Sequence, residues 1–98
     1  LEISDQEAAA VQKTPNRVTL DYIKSRIKEV EYIRPETVST LTIAVITHEN
    51  GFTFTGESAC ADPGNFDADL GKKFALEDAT RKIWAFEGFA LRERLSQA

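Results

Sequence analysis

The chain is 98 residues long, with one cysteine, one histidine and a net charge of −4. That length makes one small domain, burying roughly 60–65% of its unfolded surface, and a lone cysteine with a lone histidine excludes an internal disulfide and supplies too few ligands for a protein-only zinc site. No apolar run approaches the ~20 residues of a membrane span, and an excess of acids over bases in residues 1–66, ten against six, argues against nucleic-acid binding through clustered Lys and Arg.

Residues 1–16 hold Ala8, Ala9 and Ala10 but little that anchors them. They read as a flexible or weakly helical arm ahead of a single domain over 17–98. With no basic start followed by an apolar block, the arm is not expected to be a signal peptide. A first helix is predicted from Leu20 to Ile33. Thr19 can cap it, Asp21 sits in the first turn where the helix dipole favours an acid, and Leu20, Ile23, Ile27 and Val30 form an amphipathic stripe. Pro35 stops it, because the residue before a proline is pushed out of the α region.

Asn50-Gly51 between two apolar runs is the strongest short-range hairpin signal in the chain. A two-residue turn there pairs Glu49 with Phe52, Thr47 with Phe54 and Val45 with Gly56. Period-two alternation then predicts an inward face of Leu41, Ile43, Val45, Phe52 and Phe54. The outward face collects Thr40, Thr42, Ala44, Ile46, His48, Thr53 and Thr55. Strand character is expected to end near Cys60, ahead of the Pro63-Gly64 turn. The last helix is predicted from Phe66 to Leu95, with Asn65 or Asp67 as its cap. Gly71 within it reads as a place of close packing, and Gly88 as a bend or break.

The order helix, strand, strand, helix predicts an α+β fold: a helix–β-hairpin–helix with two helices packed on one face of a small antiparallel sheet. A lone hairpin is marginal in water and its edges invite pairing. The sheet is therefore expected to be extended or backed by a second copy in a homo-oligomer.

Chemistry concentrates in the linker from Gly56 to Asp67. Thr55, Glu57, Ser58, Cys60 and Asn65 flank a helix start, whose free N–H groups can receive an anion. The plainer reading is turn chemistry, with Asn65 and Asp67 as caps and Cys60 a small buried hydrophobe. Arg81 and Lys82 follow Glu77 and Asp78 at the i, i+4 spacing of a solvated ion-paired face, or else hold a phosphate-containing small ligand. Trp84 is a contact candidate, because indole is enriched at interfaces, and equally a core residue against Phe52 or Phe54. A Ser58/His48/Asp62 hydrolase is rejected, since Ser58 and His48 lie roughly 15 Å apart along the strands at ~3.4 Å per residue. A Cys60–His48 pair fails for the same reason. His48 itself reads as a solvated strand-end residue. No catalytic set, metal site or cofactor is expected.

The run from Asn50 to Cys60, then Asn65-Phe66-Asp67, then Ile83-Trp84, Glu87-Gly88-Phe89 and Leu91-Arg92 resembles a small tailed-phage protein family known from coliphage N-four and Shigella phage Sf-six. The resemblance covers Val18 to Leu95. It implies a phage or prophage origin and a bacterial host cytoplasm, and brings no catalytic residues with it. The leading functional expectation is a non-enzymatic accessory protein that binds and modulates a host protein, including a counter-defence role. The alternatives are an oligomeric protein that sequesters a nucleotide signal and, third, a DNA-binding regulator.

Overall fold

In the computed structural model, which describes residues 1–98, the helix that begins at Leu20 stops after six residues. The elements are α1 (Glu2–Ala10), α2 (Leu20–Ser25), β1 (Ile27–Ile33), β2 (Leu41–His48), β3 (Thr53–Ala59) and α3 (Ala68–Ser96). Thr19 caps α2, its hydroxyl accepting from the Tyr22 N–H at 3.0 Å. The expected single helix from Leu20 to Ile33 is thus corrected, because its second half is a strand. Ile27 and Val30 fit a helical stripe, but Val30 and Tyr32 fit period two as well, and Val, Ile and Tyr favour extended backbone. The free edge of β2 decides the matter. A third strand satisfies a row of N–H and C=O groups that a helix would leave bare.

The sheet is antiparallel in the order β1-β2-β3. Its hairpin register differs by one residue from the expected one: Thr47 pairs with Thr53, Ile46 with Phe54, Val45 with Thr55 and Ala44 with Gly56. The loop has three residues, not two. Gly51 N–H reaches the His48 carbonyl and His48 N–H reaches the Phe52 carbonyl, both at 2.8 Å. Only Gly51 has positive φ, at +89°, which is a type I turn followed by a left-handed glycine. Asn50 keeps ordinary backbone, and its side chain accepts from the Phe52 N–H at 2.9 Å.

One residue of slip turns a strand over. Thr42, Ala44, Ile46 and His48 are buried, whereas Leu41, Ile43 and Val45 lie half-buried on the outer face and Phe52 is exposed. Phe54 alone of the five expected inward residues is fully in the core. The fold class stands, with three strands instead of two. Both α2, through Ile23, and α3 pack on the inner face.

Helix α3 is capped by Asp67, whose carboxylate accepts from the Leu70 N–H at 3.0 Å. It runs unbroken through Gly88. Residues 71, 75, 79, 83 and 87 recur at i+4 and form the row facing the sheet, four of them buried. The first three are Gly, Ala and Ala, so the helix lies almost directly on the strands. A Cβ at Gly56 would stand 2.2 Å from the Ala79 nitrogen and 2.4 Å from the Ala75 carbonyl oxygen. At Gly71 a Cβ would stand 2.8 Å from the Thr42 hydroxyl. Ile83 continues the row into the core cluster with Ile23, Ala44, Ile46 and Phe54.

Helix α1 has no buried residue and is held by charge. The Asp5 carboxylate accepts from Arg17 at 2.7 Å and from the Leu20 N–H at 3.1 Å. Glu2 meets Lys24 at 3.5 Å. The Arg17 hydrogen bond, helped by the Leu20 N–H, holds the Asp5 carboxyl below its usual range.

Two outcomes follow from this packing. Gly56→Ala pushes a methyl into helix backbone that cannot yield, and urea unfolding is expected to show a loss of about 1–3 kcal/mol. Gly88→Ala, with nothing within 4 Å of the added carbon, is expected to gain about 0.5–1 kcal/mol from helix propensity. Equal effects at the two glycines would contradict the close approach. Acid tests the α1 anchor. A depressed folded-state pKa means that the Asp5 contribution is complete at neutral pH and fades as pH falls through and below the ordinary carboxylate range. Trp84 borders one hollow with Ala8 and Asp5 of the same arm, so its emission is expected to shift red on acidification. Asp5→Asn should be shifted already at neutral pH and respond less to acid.

Candidate functional site

Because the register turns β2 over, its last side chain points inward. His48 is 1% exposed and Glu87, at the end of the i+4 row on α3, is 7% exposed. Their Nε2 and Oε1 atoms stand 2.8 Å apart. The Asn50 backbone N–H donates to His48 Nδ1 at 3.2 Å. A ring nitrogen that accepts carries no proton, so the other nitrogen, Nε2, bears the hydrogen and donates it to the Glu87 carboxylate. The imidazole therefore bridges the hairpin loop and the last third of α3, with both nitrogens satisfied. The expectation of a solvated His48 is corrected, for the same reason that the strand face is corrected.

Around this pair the aromatics gather. Phe52, Phe54 and Phe86 lie 5.2–5.5 Å apart between ring centres. They border, with His48, Glu87 and Ala90, a shallow hollow of about 200 Å³. Phe54 is the buried floor. Phe52 and Phe86 are 54% and 55% exposed, and Phe89, one turn further along α3, is 71% exposed. Large rings left in water on a small protein and backed by a rigid floor are the usual mark of a contact surface. Glu87 was legible in principle, since a glutamate at position 87 continues the row Ala75, Ala79, Ile83. The Phe patch required the correct loop length.

The residues nominated from sequence fall into three places. Ser58, Cys60 and Asn65 do come together, bordering a hollow of about 190 Å³ with Thr40, Phe66 and Gly71 at the far end of the sheet. Ser58 faces Thr42, not Ile43. The Cys60 thiol points to the Asp62 carbonyl at 3.4 Å, and Asp62 caps the short turn at Pro63–Asn65. Thr55, Glu57 and Lys82 meet along the outer edge of β3. Lys82 donates to the Thr55 carbonyl, and Asp78 accepts from the Glu57 N–H at 2.9 Å. The expected i, i+4 ion pairing on α3 is corrected here, because Asp78 and Lys82 reach for strand backbone. Arg81 is exposed and lies about 20 Å along the helix from its start, at 1.5 Å per residue, so it does not join the Gly64–Leu70 region. Trp84 is half-buried against the core cluster and forms no ring pair with Phe52 or Phe54. Its indole N–H donates to the Val18 carbonyl at 3.3 Å, on the side of α3 that faces α1.

Residues 18–95 match the sequence profile of the phage protein (N4 Gp49/phage Sf6 gene 66) family. The chain belongs to this family. The match begins at the residue whose carbonyl receives the Trp84 indole and ends one residue short of the α3 terminus, so it takes in the sheet, α2 and α3 and leaves out α1. No curated protein and no solved structure matches the chain. No helix of this phage protein is long and apolar enough to cross a membrane.

The His48–Glu87 bridge gives the patch its footing, and its removal is measurable. Glu87→Ala leaves a buried imidazole N–H without an acceptor, at a cost of about 1–3 kcal/mol in unfolding free energy. Nitrogen NMR of the intact protein is expected to show His48 protonated on Nε2 and bare on Nδ1. A proton on Nδ1 would contradict the bridge.

Proposed function

We propose that this phage protein is a non-enzymatic accessory factor that binds a host protein in the bacterial cytoplasm and modulates it, in a counter-defence role. The observation that carries the reading is the paired Phe52 and Phe86 rings, with Phe89 exposed on the next turn of α3. Phe52 and Phe86, each more than half exposed, stand over a floor fixed by the His48–Glu87 hydrogen bond. Membership of a phage family supports the setting. The patch supports the partner class, because flat aromatic exposure matches a protein surface better than it matches a small polar ligand. The surface nominated from sequence is revised accordingly: the contact rings are phenylalanines at the hairpin loop, and Trp84 belongs to the α1 side.

The nucleotide-signal alternative has one observation in its favour, the hollow that gathers Ser58, Cys60 and Asn65. It is smaller than the roughly 300–1,000 Å³ of ordinary ligand pockets, and Arg81 and Lys82 stand away from it.

A tagged wild-type chain is expected to retain a host protein that a Phe86→Ser/Phe89→Ser double variant loses. Cys60→Ser, altered at the opposite end of the sheet, should retain it. Capture that is identical for all three chains, or no specific capture by wild type, removes the reading.

A further inference from the structure

The two edges of the sheet are treated differently. His48 N–H bonds to the Phe52 carbonyl, and antiparallel bonding alternates along a strand. Ile46 and Ala44 therefore bond to β3, while Val45 and Ile43 bond to β1. On β3 this leaves Thr53, Thr55, Glu57 and Ala59 facing outward, and α3 reaches the middle two: Lys82 takes the Thr55 carbonyl and Asp78 takes the Glu57 N–H. On β1 the alternation leaves Val30 and Tyr32 facing outward, since Glu29, Glu31 and Ile33 pair with Thr47, Val45 and Ile43. No turn, loop, cap or side-chain hydrogen bond reaches the backbone of either. The β1 edge is seven residues long, contains no proline and is irregular only between Ile27 and Glu29.

A bare strand edge accepts another strand, with backbone bonds supplying affinity and alternate side chains supplying choice. The side chains of β1 narrow that choice. Glu29 and Glu31 are exposed on the outer face, and Val30 and Tyr32 are half-buried on the inner face. A second copy is poorly suited. In antiparallel two-fold pairing of β1 with itself, the registers that overlap five or more strand residues set Glu29 against Glu29, Glu29 against Glu31, or Glu31 against Glu31. Like charges directly opposite destabilise a sheet.

We propose that the β1 edge receives an extended segment of the host partner in which basic residues alternate with apolar ones. The basic side chains lie over Glu29 and Glu31, and the apolar ones continue the inner face beside Val30 and Tyr32. This deepens the host-partner reading by adding a second contact on a separate face of the protein from the phenylalanine patch. It rests on that reading only for the source of the segment.

The test needs no host material. The intact isotope-labelled protein is mixed with a short acetylated peptide alternating Lys and Val, or with its Glu–Val counterpart. At saturation with the Lys–Val peptide, the Val30 and Tyr32 amides are expected to exchange about tenfold more slowly or better, as newly bonded N–H groups do. The Glu–Val peptide should leave them unchanged. The exposed double variant Glu29→Lys/Glu31→Lys should exchange the two preferences. The proposal is overturned if the Lys–Val peptide leaves those amides unchanged, or if both peptides protect them equally. It also fails if they become protected in the free protein as its concentration rises, which would seat a second copy there. Peptide binding without host capture would retain the edge and remove the host reading, whereas host capture without peptide binding does the reverse.

Discussion

The distance between α3 and the sheet governs the rest of the molecule. A helix ordinarily stands off a sheet by the length of its side chains. Here Gly71, Ala75 and Ala79 face Thr42, Ala44 and Gly56, and the backbones nearly touch where Gly56 meets Ala75 and Ala79. Few methylenes are buried along this seam, so its stability comes from area brought together without gaps, which close-packed interiors require. Large side chains enter only past Ala79, where Ile83 meets Ile46 and Phe54. The helix is thus close to the sheet at one end and lifted by Ile83 and the phenylalanines at the other.

That placement has an electrostatic consequence at the sheet's rim. Because α3 sits low over β3, Asp78 and Lys82 can reach over its edge and complete hydrogen bonds that water would otherwise make. An exposed strand edge is a hazard for a small protein, and charged cover is one remedy. The same geometry cannot serve β1, which lies two strands away. On that side only the inward face is covered: Lys72 stands over the Tyr32 ring, 5.5 Å from its centre. Nothing is laid along the edge itself.

Much of this was legible in the residues, and the failures share a cause. Asp67 as cap, α3 from there to its end, the close packing at Gly71 and the end of β3 near Cys60 all follow from local chemistry: a capping carboxylate, a missing side chain, a proline-glycine turn. The hairpin was legible as well, but not its register. Asn50-Gly51 fits a two-residue loop with two positive φ values and a three-residue loop with one. The second wins because it buries Ile46 and seats His48 on Glu87, a contact thirty-nine residues distant in sequence. The strand β1 failed in the same manner. Its helical and extended readings differ little over so few residues, and only the unpaired edge of β2, supplied by another part of the chain, chooses between them. The candidate site was misplaced for that reason, since both its buried pair and its exposed rings depend on the register.

The phenylalanine patch is then a result of lengths that do not match. The strands have seven or eight residues and α3 has twenty-nine. At ~1.5 Å per residue the helix is about 43 Å long, whereas eight strand residues cover about 27 Å. Glu87 is the last α3 side chain to reach the sheet, and the turns beyond it extend about 13 Å past their support. An unsupported helix end of ordinary surface composition would carry polar residues throughout. This one carries Phe86 at the boundary, beside Phe52 on the hairpin held by the His48 bridge, and Phe89 exposed on the next turn. The rings stand where the fold supplies a rigid base on one side and open space on the other, and that is the geometry in which a second protein can bury them without first unfolding anything.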